Sequence, residues 1–305
     1  MNSILDFTDE TRSVCIKNGQ FIIERRDGQT CSIHPEEIAM IILSGHCINL
    51  TRNVLEQLLN NGGSAVVCNS SKMPIGILSP IIGHHLQSRF MKEQATAPLP
   101  LQKRLWKQII CAKIEGQSKN LLAIYGKDFA LGQMSAQVKT GDSTNIEGRA
   151  ARRYWNKLFS IPDFKRDCDG QDVVNAALNY GYAILRSLTA RAIAGSGLNP
   201  SLGLFHHNKY NAFCLADDLM EPFRPVVDNV VWRLWHEKRL EEGIIPDVKR
   251  ILIESIVGTY RFENGMLSVF DALTRVSSSL ADAFCGIRKD ICLPGLELDA
   301  IKQNV

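Results

Sequence analysis

The spacing of the apolar residues changes near residue 84, and this change constrains the fold more than any other feature of the chain. Before it, short apolar runs are separated by an Asn-Gly pair at 18–19 and an Asp-Gly pair at 27–28, which are typical turns of β-hairpins. After residue 100, apolar residues recur at helical spacing almost to the end. We therefore expect an α+β protein, with a small β-rich N-terminal domain followed by a larger all-helical C-terminal domain.

The same change predicts the domain limits. A chain of 305 residues is long enough for two domains at roughly 100–200 residues each. We place the β-rich domain at 1–82, a linker or short helix at 83–100 and the helical domain at 101–305. Later helices are predicted at about 172–194, 226–242, 246–263 and 264–285.

Composition excludes several classes of protein. The chain is 45% hydrophobic and 22% charged, which excludes disorder, and no apolar run reaches the roughly 20 residues of a membrane span. The nine cysteines are scattered and form no Cys-x-x-Cys pair, which favours reduced thiols. The first residues do not have the pattern of a secretory signal. We therefore expect a cytoplasmic protein that has no membrane partner.

Motifs that bind nucleotides or carry a nucleophilic serine are missing from the sequence. There is no Gly-x-x-x-x-Gly-Lys-Ser/Thr, no Gly-x-Gly-x-x-Gly, no Gly-x-Ser-x-Gly and no His-Glu-x-x-His. Any hydrolytic or transfer chemistry should then depend on side chains and a metal ion.

Positive charge is concentrated in one part of the sequence. Residues 84–157 contain 13 Lys or Arg and five Asp or Glu, although the whole chain carries a net charge of only +3. A local excess of this kind indicates a site for a polyanion. A solvated face of a helix would give the same pattern, so the charge alone leaves both interpretations open.

The first candidate for chemistry is Glu147. In a helix that begins near residue 145, it shares a face with Ala151, Tyr154 and Leu158, and this pattern points the carboxylate inward. The alternative is a capping box, in which Thr144 and Glu147 only bond the start of their own helix. The sequence leaves both possibilities open.

The second candidate is the segment 197–224. A turn with two glycines presents His206 and His207, and a helix with Asp218 and Glu221 on one face follows. Metal sites often combine a histidine with carboxylates from different elements. The alternative is that one histidine packs in the core while the acids pair with neighbours such as Arg224.

Four motifs stand out in order along the chain. They are NIEGRAARRYW at 145–155, LNYGYAIL at 178–185, GLNPSLGLFH at 197–206 and LADDLMEPFRP at 215–225. Together they resemble the universal CRISPR adaptation integrase family, the CRISPR-associated endonucleases that insert new spacers. The last motif is similar to the type II branch, whose systems contain a large single-chain effector nuclease.

The resemblance implies an activity and a set of metal ligands. It implies a metal-dependent DNA endonuclease and integrase that joins prespacer 3′-hydroxyl ends to CRISPR repeat borders by transesterification. The family's catalytic metal ligands fall on Glu147, His206 and Glu221, with Mg²⁺ or Mn²⁺ as the ion. Asp218 is an auxiliary candidate. The alternatives are a metal-dependent nuclease of branched DNA without integration and a non-enzymatic DNA-binding scaffold.

Further candidates come from polar residues in apolar surroundings and from the basic segment. Three polar residues are auxiliary candidates that would position the metal ligands, with a purely structural role as the alternative: Gln117, Asn179 and Tyr182. The tentative DNA contacts are Arg89, Lys103, Lys107, Arg149 and Arg152.

The resemblance also implies partners. It implies double-stranded prespacer and repeat DNA, a homodimer through the β-rich domain and the small ferredoxin-like CRISPR-associated adaptation protein. The type II branch adds the effector nuclease to this set.

Overall fold

In a computed structural model, the chain forms two compact units, Met1–His85 and Leu86–Val305. The first unit is rich in strands and the second is largely helical, which confirms the predicted fold class. The structure describes residues 3–70, 74–170, 172–262, 265–293 and 295–297.

The first unit contains eight described strands and one α-helix. The strands are β1 (Ser3–Phe7), β2 (Thr11–Lys17), β3 (Gln20–Arg25), β4 (Thr30–Ile33), β5 (Ile38–Leu43), β6 (Asn49–Leu50), β7 (Ser64–Cys68) and β8 (Pro74–Leu78), and the helix is α1 (Arg52–Asn60). They form two four-stranded sheets, ordered β1-β5-β7-β8 and β4-β3-β2-β6.

Local sequence explains the register of the second sheet. Asn18 and Gly19 join β2 to β3 with φ angles of 52° and 77°, the left-handed backbone that a tight hairpin requires. The turn pairs Val14 with Ile23 and Ile16 with Phe21. This register places Val14, Phe21 and Ile23 in the buried core of the unit.

The second unit is built from helices and one hairpin. The helices are α2 (Gln87–Ala95), α3 (Leu99–Tyr125), α4 (Leu131–Ser135), α5 (Ile146–Leu158), α6 (Val173–Gly195), α7 (Cys214–Met220), α8 (Arg224–His236), α9 (Pro246–Ile256) and α10 (Val269–Phe284). The hairpin strands are β9 (Thr259–Phe262) and β10 (Gly265–Ser268).

Two long helices organise this unit. Helix α6 is buried along most of its length and packs against α7, α8, α9 and α10, and α3 packs against α4, α5 and α8. A single 3₁₀ turn, Glu221–Phe223, connects α7 to α8 and contacts α3. No helix in the described ranges is both long enough and apolar enough to cross a bilayer.

The prediction of unbroken helices at 246–263 and 264–285 was wrong. Helix α9 ends at Ile256, and β9 pairs antiparallel with β10 before α10 begins. The run Thr-Tyr-Arg-Phe in β9 is β-branched or aromatic at three of its four positions, and such residues favour strands. The C-terminal unit is therefore largely helical and not all-helical.

Helix α6 packs closely against α8 at Gly181. A Cβ atom at Gly181 would lie 2.4 Å from Val227 Cγ1 of α8. We expect Gly181→Ala to lower the free energy of unfolding by about 1–2 kcal/mol, because overpacking outweighs the gain in helix propensity. Gly195→Ala at the end of the same helix is the control, since a Cβ there meets nothing within 4 Å. Equal denaturation midpoints for the two variants would contradict this packing.

Candidate functional site

Glu147 does not cap its own helix. Helix α5 is capped by the side chain of Asn145, which accepts a hydrogen bond from Gly148 N. Asp142 accepts two more, from Ile146 N at 2.8 Å and Glu147 N at 2.9 Å. These bonds satisfy the first amides of the helix. The capping-box alternative is therefore wrong, and the Glu147 carboxylate is left to reach another element.

That element is α3, where Lys113 lies between two glutamates. Lys113 Nζ donates to Glu147 Oε1 at 2.6 Å and lies 2.7 Å from Glu221 Oε2. Its side chain is only 11% exposed. Burial opposes the charge, but the attraction of Glu221 and Glu147 outweighs it and raises the pKa of Lys113. The two carboxylates therefore converge on one cation.

Glu221 is held by a second cation as well. Arg224 Nε lies 3.1 Å from Glu221 Oε2, and the Arg224 guanidinium stacks over the Tyr182 ring at 4.6 Å. Burial acts to raise the pKa of Glu221, but Arg224 and Lys113 outweigh it and lower that pKa. Lys113 and Arg224 thus both lie at ion-pair distance from the same oxygen, Glu221 Oε2.

His206 is oriented by Asp218. The fully buried Asp218 accepts hydrogen bonds from Leu204 N at 2.6 Å, Phe205 N at 3.0 Å and His206 Nδ1 at 2.6 Å. The hydrogen bond from His206 to Asp218 raises the pKa of the imidazole. With Nδ1 committed to the carboxylate, Nε2 is the nitrogen that can bind a ligand, as in carboxylate–histidine–metal arrangements.

The Asp218 bonds also fix the loop that carries His206. Phe205 stacks in parallel on the buried Trp106 of α3, with ring centroids 4.5 Å apart, and His206 lies edge-on to Trp106 at 6.0 Å. Stacked and edge-on pairs of this kind stabilise a defined ring orientation. The imidazole is therefore held from two sides.

A buried polar network connects the helices around these groups. Asp228 of α8 accepts hydrogen bonds from Tyr154 and Tyr182, and Asn120 of α3 donates to the Tyr154 hydroxyl at 2.7 Å. Asn229 donates to Asn120 at 2.8 Å. Burial raises the pKa of Asp228 to about 7. Since Tyr182 also lies under Arg224, the network positions the cation that holds Glu221.

The structure separates the predicted auxiliary residues. Tyr182 reaches the site through Arg224, whereas Asn179 donates to the Cys168 carbonyl at 2.9 Å and accepts from Arg166, so it holds the loop before α6. Gln117 is buried on α3, and its Oε1 has no hydrogen-bond partner among the described residues.

Sequence reasoning missed Lys113, Arg224 and Asp228. Lys113, Gln117 and Asn120 fall at i, i+4 and i+7, and this polar line on an otherwise apolar helix was the available signal. Arg224 was considered only as a partner in a surface ion pair. Nothing in the sequence around Asp228 distinguishes this buried residue from an aspartate exposed on the surface of a helix.

Three of the predicted DNA contacts lie near one cleft. A cleft of about 700 Å³, here called the basic cleft, is lined by Lys107, Lys139 and Arg149 together with 136–138, Thr140, Thr144 and Ile146. Its described lining contains no acidic residue. Lys103 packs against Gly141 beside it. Arg89 and Arg152 are exposed but do not belong to this lining.

The donor set has the chemistry of a divalent-metal site. Two carboxylates converge on one cation, and an imidazole offers Nε2, a combination that suits Mg²⁺ or Mn²⁺. Within the described ranges, however, no three His, Cys, Asp or Glu side chains are grouped to hold a metal. The ammonium of Lys113 lies between the two carboxylates.

Comparison with known proteins decides the family. The family model for CRISPR associated protein Cas1 matches residues 7–250 of this chain. The chain belongs to the Cas1 family. A Cas1 relative, the CRISPR-associated endonuclease Cas1 of Neisseria meningitidis, is 34% identical over 278 residues, which are 88% of this chain and 90% of the relative. The predicted family is confirmed.

Solved structures have the same fold as this Cas1-family chain. A casposase bound to its integration product superimposes with a TM-score of 0.77 at 18% identity, covering all of this chain and 94% of the casposase. A chain of a Cas6-RT-Cas1–Cas2 complex superimposes with a TM-score of 0.73 at 17% identity, covering 100% of this chain and 36% of the other. At these identities the likeness establishes the fold.

Asp218→Asn should change the protonation of His206. The amide nitrogen in place of Oδ1 would donate to Nδ1 and move the imidazole proton to Nε2, and loss of the carboxylate would lower the pKa of His206. NMR titration of ¹⁵N-labelled histidine measures both effects. The exposed His207 is the internal control and should keep its wild-type titration. An unchanged His206 tautomer and pKa would contradict the assigned hydrogen bond.

Proposed function

We propose that this Cas1-family protein is a metal-dependent DNA endonuclease and integrase of CRISPR spacer acquisition. It joins prespacer 3′-hydroxyl ends to repeat borders by transesterification. The observation that carries the proposal is the convergence of Glu147 and Glu221, which are 74 positions apart in the sequence, on one buried cation. The name of the Neisseria relative and the integration product bound to the casposase support it.

Glu147, Glu221 and His206 would hold Mg²⁺ or Mn²⁺. When bound, the ion would polarise the scissile phosphate and stabilise charge on the attacking and leaving oxygens. One phosphodiester replaces another, so the reaction needs no external energy source. An imidazole ligand favours Mn²⁺ more than an all-oxygen site does. Asp218 keeps the imidazole proton on Nδ1, and Arg224 keeps Glu221 ionised.

The basic cleft would bind the DNA backbone. Lys107, Lys139 and Arg149 line it, and phosphate contacts of this kind give affinity without reading sequence. A protein that inserts spacers of any sequence needs such binding. Arg89, Lys103 and Arg152 remain predicted contacts in the same role.

The assembly follows from the proposed reaction. Integration at two repeat ends needs two active sites, which a homodimer through the β-rich unit would supply. A Cas2-like small adaptation protein is the proposed bridge, supported by the presence of Cas1 and Cas2 in one solved complex. The type II effector nuclease and a cytoplasmic location remain predictions.

Strand transfer tests the proposed activity. With a supercoiled repeat plasmid, a duplex with 3′-hydroxyl ends and Mn²⁺, we expect Glu147→Gln, His206→Ala and Glu221→Gln each to reduce joining by more than about 100-fold, since even outer-shell changes at metal sites cost 10–100-fold. His207→Ala should join like the wild type. Gel electrophoresis of the plasmid products measures the effect.

The outcomes of this assay separate the alternatives. Cleavage of branched DNA without joining would indicate a nuclease only. Binding without either reaction, unchanged in all three variants, would indicate a scaffold. Normal joining by the Glu147→Gln protein would refute the proposed ligand set.

The salt dependence of DNA binding tests the basic cleft. We expect Lys107→Ala with Arg149→Ala to weaken duplex binding and to reduce the log–log salt slope by about 0.9 per lost phosphate contact. Fluorescence anisotropy over a series of salt concentrations measures both. Lys165→Ala, an exposed lysine outside the cleft, is the control. An equal slope for the double variant and the control would refute DNA binding in the cleft.

A further inference from the structure

The ammonium of Lys113 lies between the carboxylates of Glu147 and Glu221. Its Nζ is 2.6 Å from Glu147 Oε1 and 2.7 Å from Glu221 Oε2. The two oxygens are thus separated by no more than the sum of these distances. A divalent ion bound to both carboxylates would need the volume that the ammonium fills.

The charges around Lys113 are balanced. Glu147 and Glu221 supply two negative charges, and Lys113 and Arg224 supply two positive ones. Buried carboxylates without such partners would be strongly unfavourable. A divalent ion added to this set would leave two uncompensated positive charges. Departure of one monovalent cation reduces the excess to one, which a single phosphodiester charge can balance.

Of the two cations, Lys113 is the one that can leave. Arg224 is fixed by the Tyr182 ring, which the Asp228 network holds in place. Described contacts of the Lys113 ammonium are limited to the two glutamates. A lysine side chain has four rotatable bonds and can withdraw along its own stem.

We propose that Lys113 is the resident counter-ion of the site, and that a divalent metal binds Glu147 and Glu221 by displacing its ammonium. Lys113 therefore sets the metal affinity of the DNA-free protein. It also makes metal and DNA binding mutually favourable, because the phosphate compensates the charge left after the exchange. This inference rests on the metal site of the proposed function.

Mn²⁺ binding to the full-length protein tests the exchange. We expect Lys113→Met, which keeps an apolar stem and removes the charge, to lower the Mn²⁺ dissociation constant by about tenfold or more, because close buried charge pairs couple by amounts of this size. Lys113→Arg keeps the charge and should stay near the wild type. Lys119→Met is the matched control. It removes a positive charge from the same helix but away from the two glutamates, so its Mn²⁺ dissociation constant should stay near that of the wild type. Electron paramagnetic resonance of free Mn²⁺ measures each constant.

A thermal series separates folding from binding. Without metal, Lys113→Met should melt below the wild type, since the two carboxylates lose their shared cation. Mn²⁺ should raise its melting temperature more than it raises that of the wild type. If the Met variant does not fold with or without Mn²⁺, Lys113→Gln replaces it in both measurements.

DNA provides the second arm of the test. A short duplex without a repeat should tighten Mn²⁺ binding to the wild type, because the phosphate compensates the charge left after the exchange. The same excess charge remains in metal-bound Lys113→Met, so the duplex should tighten Mn²⁺ binding to this variant as well. Glu221→Gln in either background should abolish the tight site, which identifies the ion being measured.

The outcomes distinguish the two proposals. If the wild type binds Mn²⁺ through Glu221 and Lys113→Met binds it equally or more weakly, the counter-ion role is refuted and the metal site stands. If neither protein binds Mn²⁺ in a manner that depends on Glu221, with or without the duplex, the proposed metal site fails and this inference fails with it.

Discussion

The ion pairs of Lys113 with Glu147 and Glu221 connect three elements that are far apart in sequence. Lys113 comes from the middle of α3, Glu147 from the first turn of α5 and Glu221 from the 3₁₀ turn before α8. Burying these charges is unfavourable unless each has its partner, and removal of one partner typically costs about 3–5 kcal/mol. The geometry of the site and the packing of these helices therefore depend on the same contacts.

A buried polar network supports this charged centre. Burial raises the pKa of Asp228 to about 7, although the hydrogen bonds that it accepts from Tyr182 and Tyr154 act to lower this pKa. Tyr182 in turn lies under Arg224, the partner of Glu221. A buried hydrogen-bonded network of this kind fixes the relative positions of its helices. The orientation of Glu221 thus depends on its ion pairs with Lys113 and Arg224, and also on Tyr182, which holds Arg224 in place.

Local patterns were sufficient to predict the fold but not the site. The Asn18-Gly19 turn predicts its hairpin because both residues favour the left-handed backbone, and the long apolar run of α6 predicts a buried helix. The hairpin at 259–268 was missed because its short strands have no distinctive period. Lys113 was missed because its partners lie 34 and 108 positions away, and no local spacing reports a contact of that kind.

The segment that contains Asp218 and Glu221 explains why two acids on one helical face have different roles. Asp218 lies inside α7 and bonds the loop that carries His206, whereas Glu221 begins the 3₁₀ turn and faces Lys113 on α3. Although the two acids are only three residues apart, Asp218 contacts backbone amides and an imidazole, whereas Glu221 contacts two cations. The backbone amides of Leu204 and Phe205 hold the buried Asp218 carboxylate where it can accept the hydrogen bond from the imidazole. Arg224 and Lys113 lower the pKa of Glu221 and so keep it ionised. One short segment thereby orients the imidazole of His206 through Asp218 and supplies the carboxylate of Glu221.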